Sequence, residues 1–402
     1  MTRLWKREWN YEHTIKACFT GYIVQAIVNN FASLLFLTFQ SAYGISLSKI
    51  TLLVAFNFCV QLCVDLLGAG FIDRIGYRAS MVLAHVFSAA GLFSLAILPE
   101  VLPDAFAGLL LSVMIYAVGG GLLEVLVSSV VESCPTENKE TAMSLLHSFY
   151  CWGSAGVVLF SSLFFAFFGV EKWRILAVLW ALVPVVNGLV FTRVPIYSLL
   201  EEGDRGMSLP ELFRIRAFWI IMLLMVCAGA SEHAVAQWAS TFAESALETP
   251  KTIGDLAGPM FFALLMGTSR AFYGKYGAGI HLGRFIKAST VMCIFSFLLI
   301  SLSPWPAGSL LGCGLCGLGV GILWPGSFSM AARIMPRGGT LLFAMLALAG
   351  DLGCSAGPGF VGMVSSAAGG NLHTGILAAV LFPAVMLAGC CLLLRVTRRT
   401  DI

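Results

Sequence analysis

Charge is scarce in this chain: 24 Lys and Arg and 21 Asp and Glu make up 11% of its 402 residues, where a soluble domain carries about 25%. That shortage excludes an ordinary water-soluble domain. Histidine is scarcer still, at six, and most of the twelve cysteines, such as Cys18, Cys59, Cys313 and Cys390, lie inside apolar runs with no histidine partner at metal-ligand spacing. The cysteines read as small packing residues rather than disulfide or metal groups. No hydrolase triad, phosphate loop or metal cluster is present, so neither enzyme chemistry nor a metal or cofactor is expected. Polar stretches are nearly absent too, the one at Pro195 to Glu211 being short.

What fills the chain is apolar, at 58% of residues. Twelve apolar spans are expected near residues 14–40, 49–72, 79–98, 104–132, 140–169, 174–193, 216–244, 254–275, 284–303, 307–334, 339–366 and 373–395. Each meets the roughly 20 residues needed to cross about 30 Å of hydrocarbon as a helix. Helix is required there because every backbone polar group must be bonded internally.

The chain also repeats itself at an offset of about half its length. Gly119-Gly120-Gly121-Leu122-Leu123-Glu124 falls on Gly319-Val320-Gly321-Ile322-Leu323-Trp324, with Gly153 on Gly353. The repeat predicts two parallel bundles of six helices, residues 1–194 and 216–402, joined by a cytoplasmic linker over 195–215. The fold class is therefore an all-α membrane protein, and two such bundles facing a midplane cavity make a transporter. The copies differ where chemistry would sit, since Glu124 is replaced by Trp324.

Lys and Arg set the orientation. With the N-terminus inside, 19 of the 24 fall at cytoplasmic ends, while the outer side keeps Lys49, Lys172, Arg174 and Lys251, and Arg270 sits within a helix. This asymmetry predicts a multi-pass protein of the plasma (inner) membrane with both termini cytoplasmic. The net charge of +3 then reports insertion bias, not nucleic-acid binding. The bilayer is the expected surrounding, the expected form is a monomer, and the charged start, Met1 to Lys16, is not expected to be a cleaved signal peptide.

A charge at the bilayer centre costs about 2.5–3.5 kcal/mol on insertion scales, so ionisable groups inside spans are functional candidates. Glu124 follows three glycines and shares one helix face with Ser128 and Glu132. Its carboxyl can carry a proton, bond a solute hydroxyl, or be satisfied by a neighbouring helix. His147, close to Tyr150 and Trp152, suits a sugar hydroxyl or a proton relay, or else bonds a backbone carbonyl. Ser231-Glu232-His233, leading to Gln237 and Trp238, is too polar for a lipid face and either lines the cavity or joins helices. Asp351, beside Gly350, Gly353 and Pro358, either couples proton loss to rocking of the halves or pins a kinked backbone. Gln25, Asn29, Asn30 and Ser33 form an uncharged polar stripe on the first span, extended by Asn57, Gln61 and Asp65 on the second.

The loop after the second span reads Gly68-Ala69-Gly70-Phe71-Ile72-Asp73-Arg74-Ile75-Gly76-Tyr77-Arg78. It resembles the cytoplasmic loop motif of the major facilitator superfamily, and the resemblance implies a conformational latch formed by Gly68, Asp73, Arg74, Gly76 and Arg78. Further short motifs resemble the fucose permease branch: Glu124 behind its glycines, Leu146-His147-Ser148-Phe149, Glu232 six residues before Trp238, and Pro336-Arg337-Gly338 leading to Gly350-Asp351-Leu352-Gly353. That branch implies proton symport of sugars with a helix-four glutamate as proton carrier, a role that maps onto Glu124. Where the permease has an aspartate in its first helix this chain offers Ser33, so the two-carboxylate scheme is not reproduced intact.

The expected function is thus proton-coupled symport of a small hydroxylated, sugar-like solute by alternating access. Solute contacts are expected at Asn29, Asn30, Glu124, His147, Trp152, Glu232, Gln237, Trp238 and Trp324, and proton coupling at Glu124 and Asp351. Proton-antiport efflux of an amphipathic compound, and a non-transporting receptor or facilitator on the same scaffold, stay open.

Overall fold

The computed structural model describes residues 9–45, 47–197, 206–239, 242, 258 and 260–398. Every regular element among them is helical. Helix α1 is Tyr11–Asn30, followed by a 3-10 turn at Ala32–Leu35 and α2 at Phe36–Tyr43. Then come α3 Leu47–Ile75, α4 Tyr77–Val101, α5 Ala105–Ser133, α6 Lys139–Phe168 and α7 Trp173–Phe191. The short α8, Leu209–Arg214, precedes α9 Arg216–Ala236, α10 Phe261–Tyr276, α11 Leu282–Leu302, α12 Pro306–Val320 and α13 Leu323–Ile334. The last elements are α14 Gly339–Ala367, α15 Leu372–Ala378 and α16 Leu381–Arg398.

Ten helices among the described residues are long and apolar enough to cross a membrane, against the twelve spans expected. The second and eighth expected places are helical but fall short of that measure. In α3 only Phe56–Gly68 qualifies as an apolar run, with Asp65, Asp73 and Arg74 within or beyond it. Helix α10 has 16 residues, and the expected start of its span at 254 lies outside the described residues. So do the first eight residues, the linker core 198–205 and Lys251.

The chain divides into two compact units. Unit 1 is Met1–Glu137 with Gly153–Asp204, and unit 2 is Asn138–Trp152 with Arg205–Ile402. Helix α6 is therefore shared, its first half belonging with unit 2.

Unit 1 closes on an apolar core of Ile27, Phe31, Leu35, Phe39, Leu92, Leu109, Val113 and Trp173. Lipid tails are as apolar as leucine, so helices in such a bundle are held by close packing rather than by expulsion of water. Glycine supplies the closeness: a Cβ on Gly119 of α5 would lie 2.6 Å from the Ala84 carbonyl oxygen of α4. In unit 2, α9 and α14 meet the same way, a Cβ on Gly353 falling 2.1 Å from the Val226 oxygen.

The two repeats of the glycine run fold differently. Helix α5 passes through Gly119–Gly121 unbroken, whereas the second copy stops at Val320 and resumes at Leu323. The cause is Pro325, which stands where the first copy has Val125. It has no N–H to give the Gly321 carbonyl four residues earlier.

Candidate functional site

The polar stripe of unit 1 assembles where α1, α3 and α5 meet. Gly120 and Gly121 of α5 make room for it: a Cβ on Gly120 would lie 3.2 Å from both the Gln61 amide nitrogen and Val28. Gln25 Nε2 donates to Glu124 Oε2 at 2.8 Å, and Gln61 Nε2 donates to Asn29 Oδ1 at 2.9 Å. Asn30 Nδ2 donates to the Ala26 carbonyl and to Ser154 Oγ, at 2.8 and 3.1 Å. One turn beyond Glu124, Ser128 Oγ bonds the Tyr22 hydroxyl at 2.8 Å. The predicted face of Glu124 and Ser128 thus looks onto α1. Asn29, Asn30 and Glu124 are half-buried, while Gln61, Asn57 and Asp65 are buried.

A carboxylate facing neutral amides can do two things chemically. It accepts from the Gln25 amide whether ionised or protonated, so a proton can come and go without losing that bond. It also offers hydroxyl-binding capacity beside a paired amide. Two cavities of unit 1 lie elsewhere. One, of about 560 Å³, is an apolar groove lined by Phe56, Leu67, Phe71 and Met114; the other, of about 820 Å³, lies beside Arg78 and Tyr197.

Of the expected latch, Gly76 takes φ 83° and starts α4. Arg78 Nη1 donates to the Phe191 carbonyl in the last turn of α7 at 2.9 Å, a cation at a helix C-terminus. Gly68 is buried, Arg74 is exposed, and the Asp73 side chain lies outside the described set.

Unit 2 divides the remaining candidates. His147, 5% exposed, packs its ring 5.9 Å from Phe328, which also meets Trp324 at 6.5 Å and Phe343 at 5.4 Å. Trp324 covers Gly350, where a Cβ would fall 2.1 Å from its ring, next to the buried Asp351. Trp152 lies on Gly267 of α10 and is 40% exposed. Trp238 Nε1 donates to the Pro358 carbonyl of α14 at 3.1 Å, so it joins two helices. Gln237 caps α9 and is exposed.

Glu232 has a partner that sequence reasoning passed over as a site residue. Its Oε2 lies 3.1 Å from Arg270 Nη2, with the two side chains 10% and 3% exposed. Arg270 was visible as a basic residue within an expected span; what it faces was not. A second omission is His85 of α4, 1% exposed. Its Nε2 lies 2.8 Å from Asn187 Nδ2, which also donates to the Ala17 carbonyl at 3.0 Å.

Among the described residues no group of His, Cys, Asp and Glu is placed to hold a metal ion. No curated protein matches the chain. Solved structures match over nearly its full length. The E. coli fucose:proton symporter FucP superposes with a TM-score of 0.79 at 18% identity, covering 96% of this chain and 99% of that one. The proton:xylose symporter XylE gives 0.80 at 13% identity, covering 96% and 95%. The human organic anion transporter MFSD10 gives 0.70 at 16%, covering 95% and 99%. These likenesses share one all-helical fold. With the sequence profile described as Major Facilitator Superfamily matching residues 18–358, the chain belongs to that superfamily of transporters.

Proposed function

We propose that this transporter carries a small hydroxylated, sugar-like solute together with protons, and that Glu124 is the proton carrier. The observation that carries the proposal is the Gln25–Glu124 bond at 2.8 Å beside the Asn29–Gln61 pair. A carboxylate held by an amide can change protonation without rebuilding its surroundings. FucP and XylE, whose folds this chain shares, are by description sugar:proton symporters. Solute hydroxyls would bond Asn29, Asn30, Glu124 and Glu232, with His147, Trp152, Trp238 and Trp324 supplying rings for apolar faces and Gln237 at the outer end. Asp351 is the second candidate for coupling.

The moving bodies would be the bundles 1–194 and 216–402, in a monomer in the plasma membrane with both termini cytoplasmic. The test is uptake of fucose and of xylose by proteoliposomes with an imposed pH gradient. Acid outside should drive accumulation, and Glu124→Gln should abolish it while counterflow exchange survives. Flux in the opposite sense would make the protein an antiporter. Full accumulation by the variant would remove Glu124 from the role.

A further inference from the structure

Arg270 makes more contacts than an ion pair requires. Its Nη2 meets Glu232 of α9. Its Nη1 donates to the His147 carbonyl of α6 at 3.2 Å and contacts Cys151 Sγ at 2.9 Å. Its Nε donates to the Gly321 carbonyl at 2.8 Å. That carbonyl is the one Pro325 leaves without a partner at the α12–α13 break, so the guanidinium stands in for the missing N–H and places a cation at the C-terminus of α12. Ser144 of α6 closes the arrangement by donating to the Arg270 carbonyl at 2.7 Å.

The contacts with α6 all involve residues 138–152, the part of that helix belonging with unit 2. They form a zipper along α10. Glu140 Oε2 accepts from the Tyr273 hydroxyl at 3.1 Å, while Oε1 accepts from Arg333 at 2.9 Å. Leu145 backs onto Gly274 and Trp152 onto Gly267, each close enough that a glycine Cβ would lie within 3 Å. Arg270 is the charged centre of this zipper, and Glu232 makes its burial tolerable. Removing one member of a buried pair costs several kcal/mol because the other is left uncompensated.

We propose that Arg270 is a positioning residue for alternating access: its pair with Glu232 holds the first half of α6 in unit 2 and keeps the α12–α13 break in register, and opening the pair is a step of the cycle. The inference requires neither the solute nor the coupling ion proposed above.

The test uses the full chain in lipid nanodiscs, without solute. Hydrogen exchange is followed in peptides covering 139–152 and 319–325, and maleimide labelling at Cys151, with the buried Cys18 and Cys134 of unit 1 as references. Glu232→Gln should speed exchange at both segments at least tenfold and expose Cys151, leaving both references unchanged. Arg270→Lys, which keeps the charge but loses the fork, should speed exchange at 319–325.

The double variant Glu232→Gln/Arg270→Gln carries no unpaired buried charge, so it decides the matter should the single variants fail to fold. Wild-type protection of both segments in the double variant would overturn the proposal, as would faster exchange at only one of them. Where the wild type carries fucose or xylose, the double variant should slow counterflow turnover at saturating sugar at least tenfold, beyond any change in Kd that follows from losing the Glu232 contact. A weakened Kd at unchanged turnover would make the pair a solute contact and overturn the positioning role. Failure of the wild type to carry either sugar would count against the proposed function alone, since the exchange result stands without it.

Discussion

Gln25 on α1 donates to Glu124 on α5 across 2.8 Å, so the carboxyl group of the glycine-run helix is held by an uncharged neighbour. A hydrogen bond to a charged group contributes about 1.5–3 kcal/mol, equal to roughly 10- to 150-fold in an equilibrium. Gln25→Leu is therefore expected to lower pH-driven accumulation by at least tenfold, with counterflow reduced less. Initial-rate uptake with and without the gradient measures both. Equal loss in the two assays would show that Gln25 serves folding or solute binding instead.

The α9–α14 contact sets a stability prediction with its own control on the same helix. A Cβ on Gly353 would lie 2.1 Å from the Val226 oxygen, whereas nothing lies within 4 Å of a Cβ on Gly359. Overpacking against backbone costs about 1–3 kcal/mol, and open helical sites gain slightly from alanine. Gly353→Ala should therefore lower the unfolding temperature in detergent, and Gly359→Ala should leave it unchanged or raise it. Similar behaviour of the two variants would contradict the packing argument.

Outside the membrane, α8 carries a pH dependence. Ser208 donates from its backbone N and its hydroxyl to Glu211 Oε2, at 2.7 and 2.8 Å. These bonds, the backbone one first, hold the Glu211 carboxyl below the usual carboxylate range. A depressed acid stabilises its element above the unfolded value, about 4.3, and that contribution is lost as pH falls through the folded value below it. Hydrogen exchange of residues 208–214, corrected for intrinsic rate, should quicken on acidification through this window. Glu211→Gln should be insensitive to it.

Much of this architecture is legible in sequence because lipid imposes simple rules. Asn29, Asn30 and Glu124 stand out as polar residues in apolar spans, and they do gather on neighbouring helices. The glycine repeat is legible as well, but its two copies diverge because Pro325 replaces Val125, and what a freed carbonyl finds as a partner is a tertiary fact. Arg270 is counted easily as a basic residue within a span, yet its grip on α6, α9 and the end of α12 depends on residues 38 to 126 positions away. Trp238 shows the converse. Its spacing from Glu232 suggests a solute-facing ring, while its indole N–H is spent on the Pro358 carbonyl.

His85 illustrates the same limit and supplies the last prediction. Its Nδ1 lies 2.7 Å from the Met81 carbonyl in its own helix, so that nitrogen carries the proton and Nε2 accepts from Asn187. The Asn187 amide nitrogen has two hydrogens and serves two acceptors, His85 Nε2 and the Ala17 carbonyl, linking α4, α7 and α1. Asn187→Leu leaves a buried ring nitrogen without its donor, at about 1–3 kcal/mol, whereas replacing both partners by apolar groups is nearly neutral. The double variant His85→Phe/Asn187→Leu should therefore be more stable than Asn187→Leu alone, with an interaction energy in the double-mutant cycle of about 0.5–3 kcal/mol. Thermal unfolding of the four proteins measures it. Additive losses would mean that the two side chains pack independently and that the three-helix link is carried by the apolar contacts around them.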